Sequence, residues 1–391
     1  MKLSNHVTYV GMQNPAMRVF DIIMKTEYGT SYNSFLVQGK KTALIETAHR
    51  RFTKEYIETI ENYIPVKDIE YVVVNHTEPD HSGSLEKILE INPDIQVYGS
   101  AAAIKNLGFI MNRTFKGNVV KNGDQLDLGD GTVLEFIIAP NLHWPDSMFT
   151  YLKQDKVLFS CDFLGSHYCE PLVLDRSIKY PEEYEIARKY YYDCIFGPFK
   201  KFVLAGLDKI KDLEINMACT SHGPMLQERL QETMDLYREW STEIPKEKNI
   251  AIFYVSAYGY TREMAEAFEK AFTAAGVSAK SYDIIYHDVA QLAAEMNGAS
   301  AVLFGSPTIN RDALKPVWDL ISMTELVELK NKPVLVFGSY GWSGEACKLL
   351  TDRLAGIKYK VFGDGFRCQF KPSKEDFAEI EKLAKEFLET I

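Results

Sequence analysis

Hydrophobic positions along the chain follow two regimes that meet near Pro245. Up to about residue 240 the apolar segments mix strand and helix spacing. Residues 69–74 form a short β-branched run, and 133–138 and 156–160 read the same way, as strands. Over 53–63 and 226–240 apolar residues recur at helical spacing with charges on the opposite face. Lys121-Asn122-Gly123-Asp124 and Gly129-Asp130-Gly131 are turn signals between hairpin strands. These signs predict a sheet-rich α/β domain without naming which one.

Past the polar break Ile244-Pro245-Lys246-Glu247-Lys248-Asn249 the pattern becomes regular. Strands are predicted over 250–255, 278–285, 301–305, 333–338 and 358–362. Helices are predicted between and after them, over 262–275, 289–296, 314–325, 344–354 and 374–389. Strands alternating with helices imply a parallel sheet covered on both faces. The expected domains are residues 1–246 and 247–391, and five such strands in the second suit a flavodoxin-like, doubly wound sheet.

Composition narrows the class. Of 391 residues 46% are hydrophobic and 25% charged, which excludes disordered and fibrous proteins. A net charge of −10 argues against nucleic acid or an anionic membrane as partner. No apolar run approaches ~18 residues and the N-terminus leads into no signal-peptide core, so a cytoplasmic protein is expected. The six cysteines (161, 169, 194, 219, 347, 368) contain no C-x-x-C pair, which excludes a zinc ribbon and a disulfide scaffold.

Only eight histidines occur, so their positions carry information. Directly after the strand at 69–74 comes Asn75-His76-Thr77-Glu78-Pro79-Asp80-His81-Ser82-Gly83, with two imidazoles and two carboxylates in six residues of a predicted loop. His143 follows the strand at 133–138, Asp162 follows that at 156–160, and His222 sits in Thr220-Ser221-His222-Gly223-Pro224. Alone, Asp80 or Asp162 reads as a cap or turn residue and His143 as a packed loop histidine. Together, H-x-E-x-D-H followed by H, D and H resembles the metallo-β-lactamase superfamily of two-metal folds, with Glu78 in place of its second histidine. Three carboxylates beside four imidazoles favour iron over zinc, because hard oxygen donors stabilise the ferric state, though glutamate also binds zinc. His6, His49 and His287 read as surface residues, and His167 as a residue near Asp162.

In the second domain Ser256-Ala257-Tyr258-Gly259-Tyr260-Thr261 lies between the first strand and its helix. Hydroxyls at both ends, backbone amides and a helix N-terminus suit a phosphate dianion. With no lysine and no G-x-x-x-x-G-K-[ST], a nucleoside triphosphate is not expected. Ser306-Pro307-Thr308-Ile309-Asn310 and Ser339-Tyr340-Gly341-Trp342-Ser343-Gly344 end the third and fourth strands. Three loops at the switch point of a 2-1-3-4-5 sheet predict FMN, with Tyr340 and Trp342 beside its ring.

A two-metal lactamase-like αββα sandwich followed by a flavodoxin-like sheet resembles the flavodiiron protein family, the A-type flavoproteins, across essentially all 391 residues. The segment Gly29-Thr30-Ser31-Tyr32-Asn33 also resembles that family's N-terminal region. The resemblance implies one iron on His76, Glu78 and His143, another on Asp80, His81 and His222, and Asp162 with an oxo or hydroxo bridge between them. His81 is the least secure ligand, since some members swing it off the metal. It implies reduction of O₂ to water or of NO to N₂O, with FMN and the iron pair storing two electrons each. A water-poor pocket walled by Tyr28, Trp144 and His167 is expected to keep partly reduced oxygen from escaping. No further domain is expected after Ile391, so electrons would come from a separate donor, rubredoxin or a reduced deazaflavin. A head-to-tail homodimer, alone or paired into a dimer of dimers, would bring one subunit's FMN to the other's irons. The competing expectations are a zinc hydrolase with an accessory flavodoxin domain, and an electron-transfer flavoprotein with a vestigial metal site.

Overall fold

The computed structural model describes residues 1–391 except 22–23, 243–246, 325–328 and 330. It divides into two compact units, Met1–Glu243 and Ile244–Ile391. The predicted break around Pro245 and the last residue of the helix predicted to end at Glu325 lie outside the described residues.

The first unit stacks two sheets. One has six strands in the order Val7–Tyr9, Phe35–Gln38, Thr42–Ile45, Tyr71–Val73, Gln96–Gly99 and Lys116–Val119. The other has five, Gln125–Asp127, Val133–Ile138, Met148–Leu152, Val157–Cys161 and Met217–Thr220. The two-residue period of a strand sends alternate side chains to opposite faces. Phe35, Val37, Ile45 and Val73 therefore meet Leu134, Phe136, Met148 and Phe159 between the sheets. Leu36, Leu44, Val72, Phe149 and Leu158 instead face outward against the helices, with Tyr56, Ile88, Leu107, Val203 and Tyr237 among their partners. Four layers result, the αββα sandwich of the expectation.

One local expectation changes. The segment after residue 78 is not a loop but a helical turn, Pro79–Ser82, with the proline at its first position. Proline's fixed φ and missing N–H suit that position. The turn sets Asp80 and His81 side by side on a rigid element.

The second unit is a parallel sheet in the order Ser278–Asp283, Asn249–Tyr254, Ala301–Gly305, Pro333–Tyr340 and Lys360–Val361. Phe304, Val334 and Val336 pack against one helical layer, and Ile252, Leu303, Leu335 and Phe337 against the other. The fifth strand, predicted as one run over 358–362, comes in two pieces, because Phe366–Gln369 also pairs in parallel with Pro333–Tyr340. Gly363 and Gly365, at φ +61° and +86°, turn the chain out between the pieces, a conformation that favours glycine. Among the described residues no helix is long and apolar enough to cross a membrane.

Candidate metal centre and flavin pocket

All seven candidate ligands project from the carboxyl ends of strands in the first unit, or from the turns that follow them. Asp162 is aimed by an irregularity: the register between Val157–Cys161 and Met217–Thr220 shifts after Phe159. Cys161 and Leu164 both take left-handed backbone, at φ +53° and +69°. Non-glycine residues in that region cost about 1–3 kcal/mol each and persist only where the surroundings enforce them.

The donor atoms fall into two groups. His76 Nε2 and His143 Nε2 each lie 3.1 Å from Glu78 Oε2, and 3.6 and 3.5 Å from Asp162 Oδ2. His81 Nε2 and His222 Nε2 lie 3.3 and 3.1 Å from the two Asp80 oxygens, and 3.0 and 3.4 Å from Asp162 Oδ1. Each oxygen of Asp162 thus faces a different group. Two donors bound about 2.1 Å from one ion at right or tetrahedral angles stand about 3.0–3.4 Å apart, and six of the eight separations fall in that range, with the two to Asp162 Oδ2 slightly longer. Both oxygens of Asp80, both of Asp162 and both nitrogens of His81 are buried with no conventional hydrogen bond. Buried polar atoms seldom go unpartnered, so the donor set fits a pair of cations.

Further residues orient the set. Asp146 is fully buried and accepts from Thr77 N and Thr77 Oγ1, both at 2.7 Å, while His76 Nδ1 faces its carboxylate at 3.2 Å. Ser31 O accepts from His222 Nδ1 at 2.6 Å. Each contact puts the ring proton on Nδ1 and leaves Nε2 free to bind. Glu46, buried beside His81, accepts from Asn75 N at 2.7 Å, and burial pushes its carboxyl up to about 8. Sequence reasoning missed Asp146 and Glu46. The signal for Glu46 was an acid ending the apolar strand Thr42–Ile45; Asp146 stands three residues after His143 in a plain turn.

The pocket wall differs from the expectation. Trp144 stands 5.0 Å from the His76 ring, and His167 stands 5.0 Å from His222 with Nδ1 2.8 Å from Thr30 Oγ1. Burial, and then the charge of His222, holds His167 well below its ordinary value, so it is neutral. Tyr28, by contrast, packs on Tyr168 at 6.0 Å. Gly29, at φ +73°, breaks the alternation, so Thr30 and Tyr32 turn inward and Tyr28 does not. Phe20 takes the inner position, 4.5 Å from His167 and 5.6 Å from His222. The three remaining histidines include two that are not simply exposed: His6 pairs with Asp155 at 2.7 Å, and His49 is half-buried against Tyr32. His287 is exposed.

In the second unit the three predicted loops enclose a cavity of about 510 Å³. Ala257, Tyr258 and Tyr260 line it from the first loop, Pro307, Thr308, Ile309 and Asn310 from the second, and Ser339, Tyr340, Gly341, Trp342 and Ser343 from the third. Arg311 and Phe370 line it as well and were not predicted. Phe370 directly follows the unforeseen second piece of the fifth strand, Phe366–Gln369. The other predicted residues support the loops. Ser256 Oγ accepts from Gly259 N and Arg262 N at 3.1 and 3.2 Å, which leaves its own O–H to donate. Thr261 and Ser339 share a 3.0 Å hydrogen bond, and Ser306 Oγ accepts from Leu314 N. Gly259 takes φ +91° with no atom near its missing side chain, and Gly344 lies against Tyr340. Tyr258 and Trp342 are 85% and 92% exposed, two uncovered rings beside an apolar slot. Slot, hydroxyls and helix N-terminus fit FMN.

A lactamase-like sandwich whose buried donors match a metal pair, with a flavin-sized pocket in a flavodoxin-like unit, defines a class of metalloflavoproteins. Residues 30–223 match the family model described as ODP family beta lactamase, and 252–382 match that of flavodoxin. Flavo-diiron protein FprA2 of Clostridium acetobutylicum is 47% identical, covering 100% of this chain and 99% of its own. Type A flavoprotein fprA of Rhodobacter capsulatus is 33% identical over 95% of this chain and 87% of its own. The solved rubredoxin oxygen:oxidoreductase from the anaerobe Desulfovibrio gigas superposes with a TM-score of 0.76 at 26% identity, covering 100% of this chain and 98% of its own. The chain belongs to the flavodiiron protein family. Its cofactors are accordingly FMN and a pair of irons.

Asp146 tests how much the second layer of contacts matters. Asp146→Ala removes the partner of His76 Nδ1 and of two Thr77 donors, and is expected to weaken iron binding about 10–100-fold. Titrating metal-free wild type and variant with ferrous iron measures it; equal affinities would mean that Asp146 serves only the turn.

Proposed function

We propose that this chain reduces O₂ to water, NO to N₂O, or both, at the seven-residue centre, with electrons passed through FMN from an external donor. The observation that carries the reading is the carboxylate-rich donor set, with each Asp162 oxygen facing a different group of three ligands. His76, Glu78 and His143 would hold one iron, Asp80, His81 and His222 the other, and Asp162 would offer one oxygen to each. When bound, the iron pair supplies a redox-active Lewis-acid site for a diatomic, and FMN supplies electrons singly.

The chain's own residues do the rest. Asp146 and the Ser31 carbonyl fix the tautomers of His76 and His222. Phe20 and Trp144 line the approach with apolar rings, which admit a small neutral diatomic and disfavour bulk water. Ser256 and the amides of its loop receive the flavin phosphate, and Tyr258 and Trp342 flank the ring system. The relative from Desulfovibrio gigas is named for rubredoxin and oxygen, which supports O₂ as a substrate and rubredoxin as donor, with a reduced deazaflavin as the alternative. A head-to-tail homodimer in the cytoplasm completes the proposal, placing one protomer's flavin at its partner's irons.

Parallel O₂ and NO consumption on an electrode, with iron-loaded, FMN-replete protein and excess reduced rubredoxin, tests the reading. Fast O₂ uptake with slow NO uptake marks an oxygen reductase, and the reverse an NO reductase. Neither activity, with irons present and the flavin reduced by the donor, would overturn the proposal and reopen metal-hydroxide hydrolysis.

A further inference from the structure

We propose that Tyr191, Phe196, Tyr237, Tyr192 and Trp240 form an electron path from the metal centre to the surface, by which an oxidising equivalent stranded at the centre is quenched with an electron from Trp240. The inference rests on the oxygen chemistry proposed above and adds a protective function to it.

The rings run without a break. Tyr191 lies 6.2 Å from the His222 ring and 6.0 Å from Phe196, centroid to centroid. Phe196 lies 5.8 Å from Tyr237, Tyr237 lies 5.0 Å from Tyr192, and Tyr192 lies 4.9 Å from Trp240. The three tyrosines are fully buried, whereas Trp240 is half-buried near the end of helix Leu230–Ser241, where the run meets solvent.

Packing alone does not call for these residue types. Phenylalanine would fill the same volume without the cost of burying a hydroxyl. Instead Tyr191 Oη donates to Asp162 O at 3.2 Å and Tyr237 Oη to Gly165 O at 3.3 Å. Gly165 N donates to Asp162 O at 2.9 Å, so both phenols end on the turn that carries the bridging carboxylate. Tyrosine and tryptophan are the side chains that give up one electron reversibly; Phe196 is crossed and not oxidised.

The balance is simple. The oxidising equivalent, left by hydrogen peroxide or partly reduced oxygen when donor electrons run short, gains one electron. Each tyrosine gives one electron inward and regains one from its outer neighbour, its proton staying along its hydrogen bond. Trp240 ends one electron short and releases its indole proton to water. A thiol- or ascorbate-class reductant returns one electron, and a proton from water restores the ring.

Iron-loaded, FMN-replete protein with both iron and flavin oxidised is mixed with hydrogen peroxide in the absence of donor and freeze-quenched, so that reduction of peroxide to water must draw its electrons from the protein's own side chains. The wild type is expected to show a tyrosyl or tryptophanyl radical, distinct from a flavin semiquinone, by electron paramagnetic resonance and, by peptide mass spectrometry, oxygen addition concentrated on Trp240. In Tyr191→Phe the Trp240 oxidation is lost and damage moves to the peptides carrying His222 and His167. In Trp240→Phe, a change remote from the ligands, O₂ uptake is unchanged while iron is lost faster under repeated peroxide. No radical in the wild type, or equal Trp240 oxidation in Tyr191→Phe, would overturn the path. The peroxide experiment needs no O₂ turnover: a radical without O₂ uptake would count against the oxygen-reductase reading and leave the path standing.

Discussion

Asp162→Asn is expected to yield a folded protein that keeps its FMN and loses at least one of its two irons, with O₂ and NO consumption falling below detection. Burial alone would raise this carboxyl. The charge of His81 and the close approach of the His143 and His81 rings outweigh burial and hold it well below the ordinary carboxylate range. It is therefore an anion in a buried setting, with neither oxygen in a conventional hydrogen bond. Asparagine removes the charge and offers one acceptor where two are needed. Breaking a buried charge pair on one side costs about 3–5 kcal/mol. Taken as lost metal affinity, that is about two to four orders of magnitude. Iron and flavin per chain, by elemental analysis and visible absorbance, separate this outcome from global unfolding, which would take the flavin too. Two irons retained per chain would show that Asp162 spans nothing.

Much of this centre was legible in the sequence because its side chains sit just past strand ends, where turns permit conspicuous spacing. His76, Glu78, Asp80 and His81 are visible as one motif. His143, Asp162 and His222 become visible only once read with it. What was not legible acts across the fold. Asp146 reaches His76 from 70 residues away, and Ser31 reaches His222 from 191 residues away through a backbone carbonyl that no residue type announces. Tyr28 was misjudged for a local reason, since the turn at Gly29 reverses which neighbours face inward. In the second unit, strict alternation of strand and helix made the order of the sheet readable. The interruption at Gly363-Asp364-Gly365 hid the second piece of the fifth strand, and with it Phe370 in the flavin pocket.

Metal uptake is expected to depend steeply on pH, because protons occupy the empty centre in place of iron. Burial alone would push His81 down, but the Asp80 and Asp162 carboxylates outweigh it and hold it at about 10. His76 is raised well above its ordinary value against the same burial, by hydrogen bonds to Asp146 and Glu78. His143 is raised by the Asp162 and Glu78 carboxylates beside it, again in spite of burial. His81 therefore carries a second proton near neutrality and must lose it to offer Nε2 to a metal, and the raised His76 and His143 act in the same direction. Loading the pair thus releases at least the His81 proton, and the apparent affinity rises by up to about one order of magnitude per pH unit below about 10 from that ring alone. Stability moves oppositely in the two forms. A raised histidine stabilises the metal-free fold fully below its unfolded value of 6.5, and for His81 that contribution is lost as pH rises through about 10. Glu46, pushed by burial to about 8, acts in the same direction, since its folded form keeps a proton that the unfolded chain has shed. The metal-loaded protein lacks the histidine contribution, so the gap in melting temperature between loaded and metal-free protein should widen from about pH 6 to about pH 9. Proton release into weakly buffered solution on anaerobic addition of ferrous iron measures the count directly. Release of fewer than about one proton per iron pair would mean that the histidines are already neutral in the empty centre, and that the carboxylates are balanced by something other than protons.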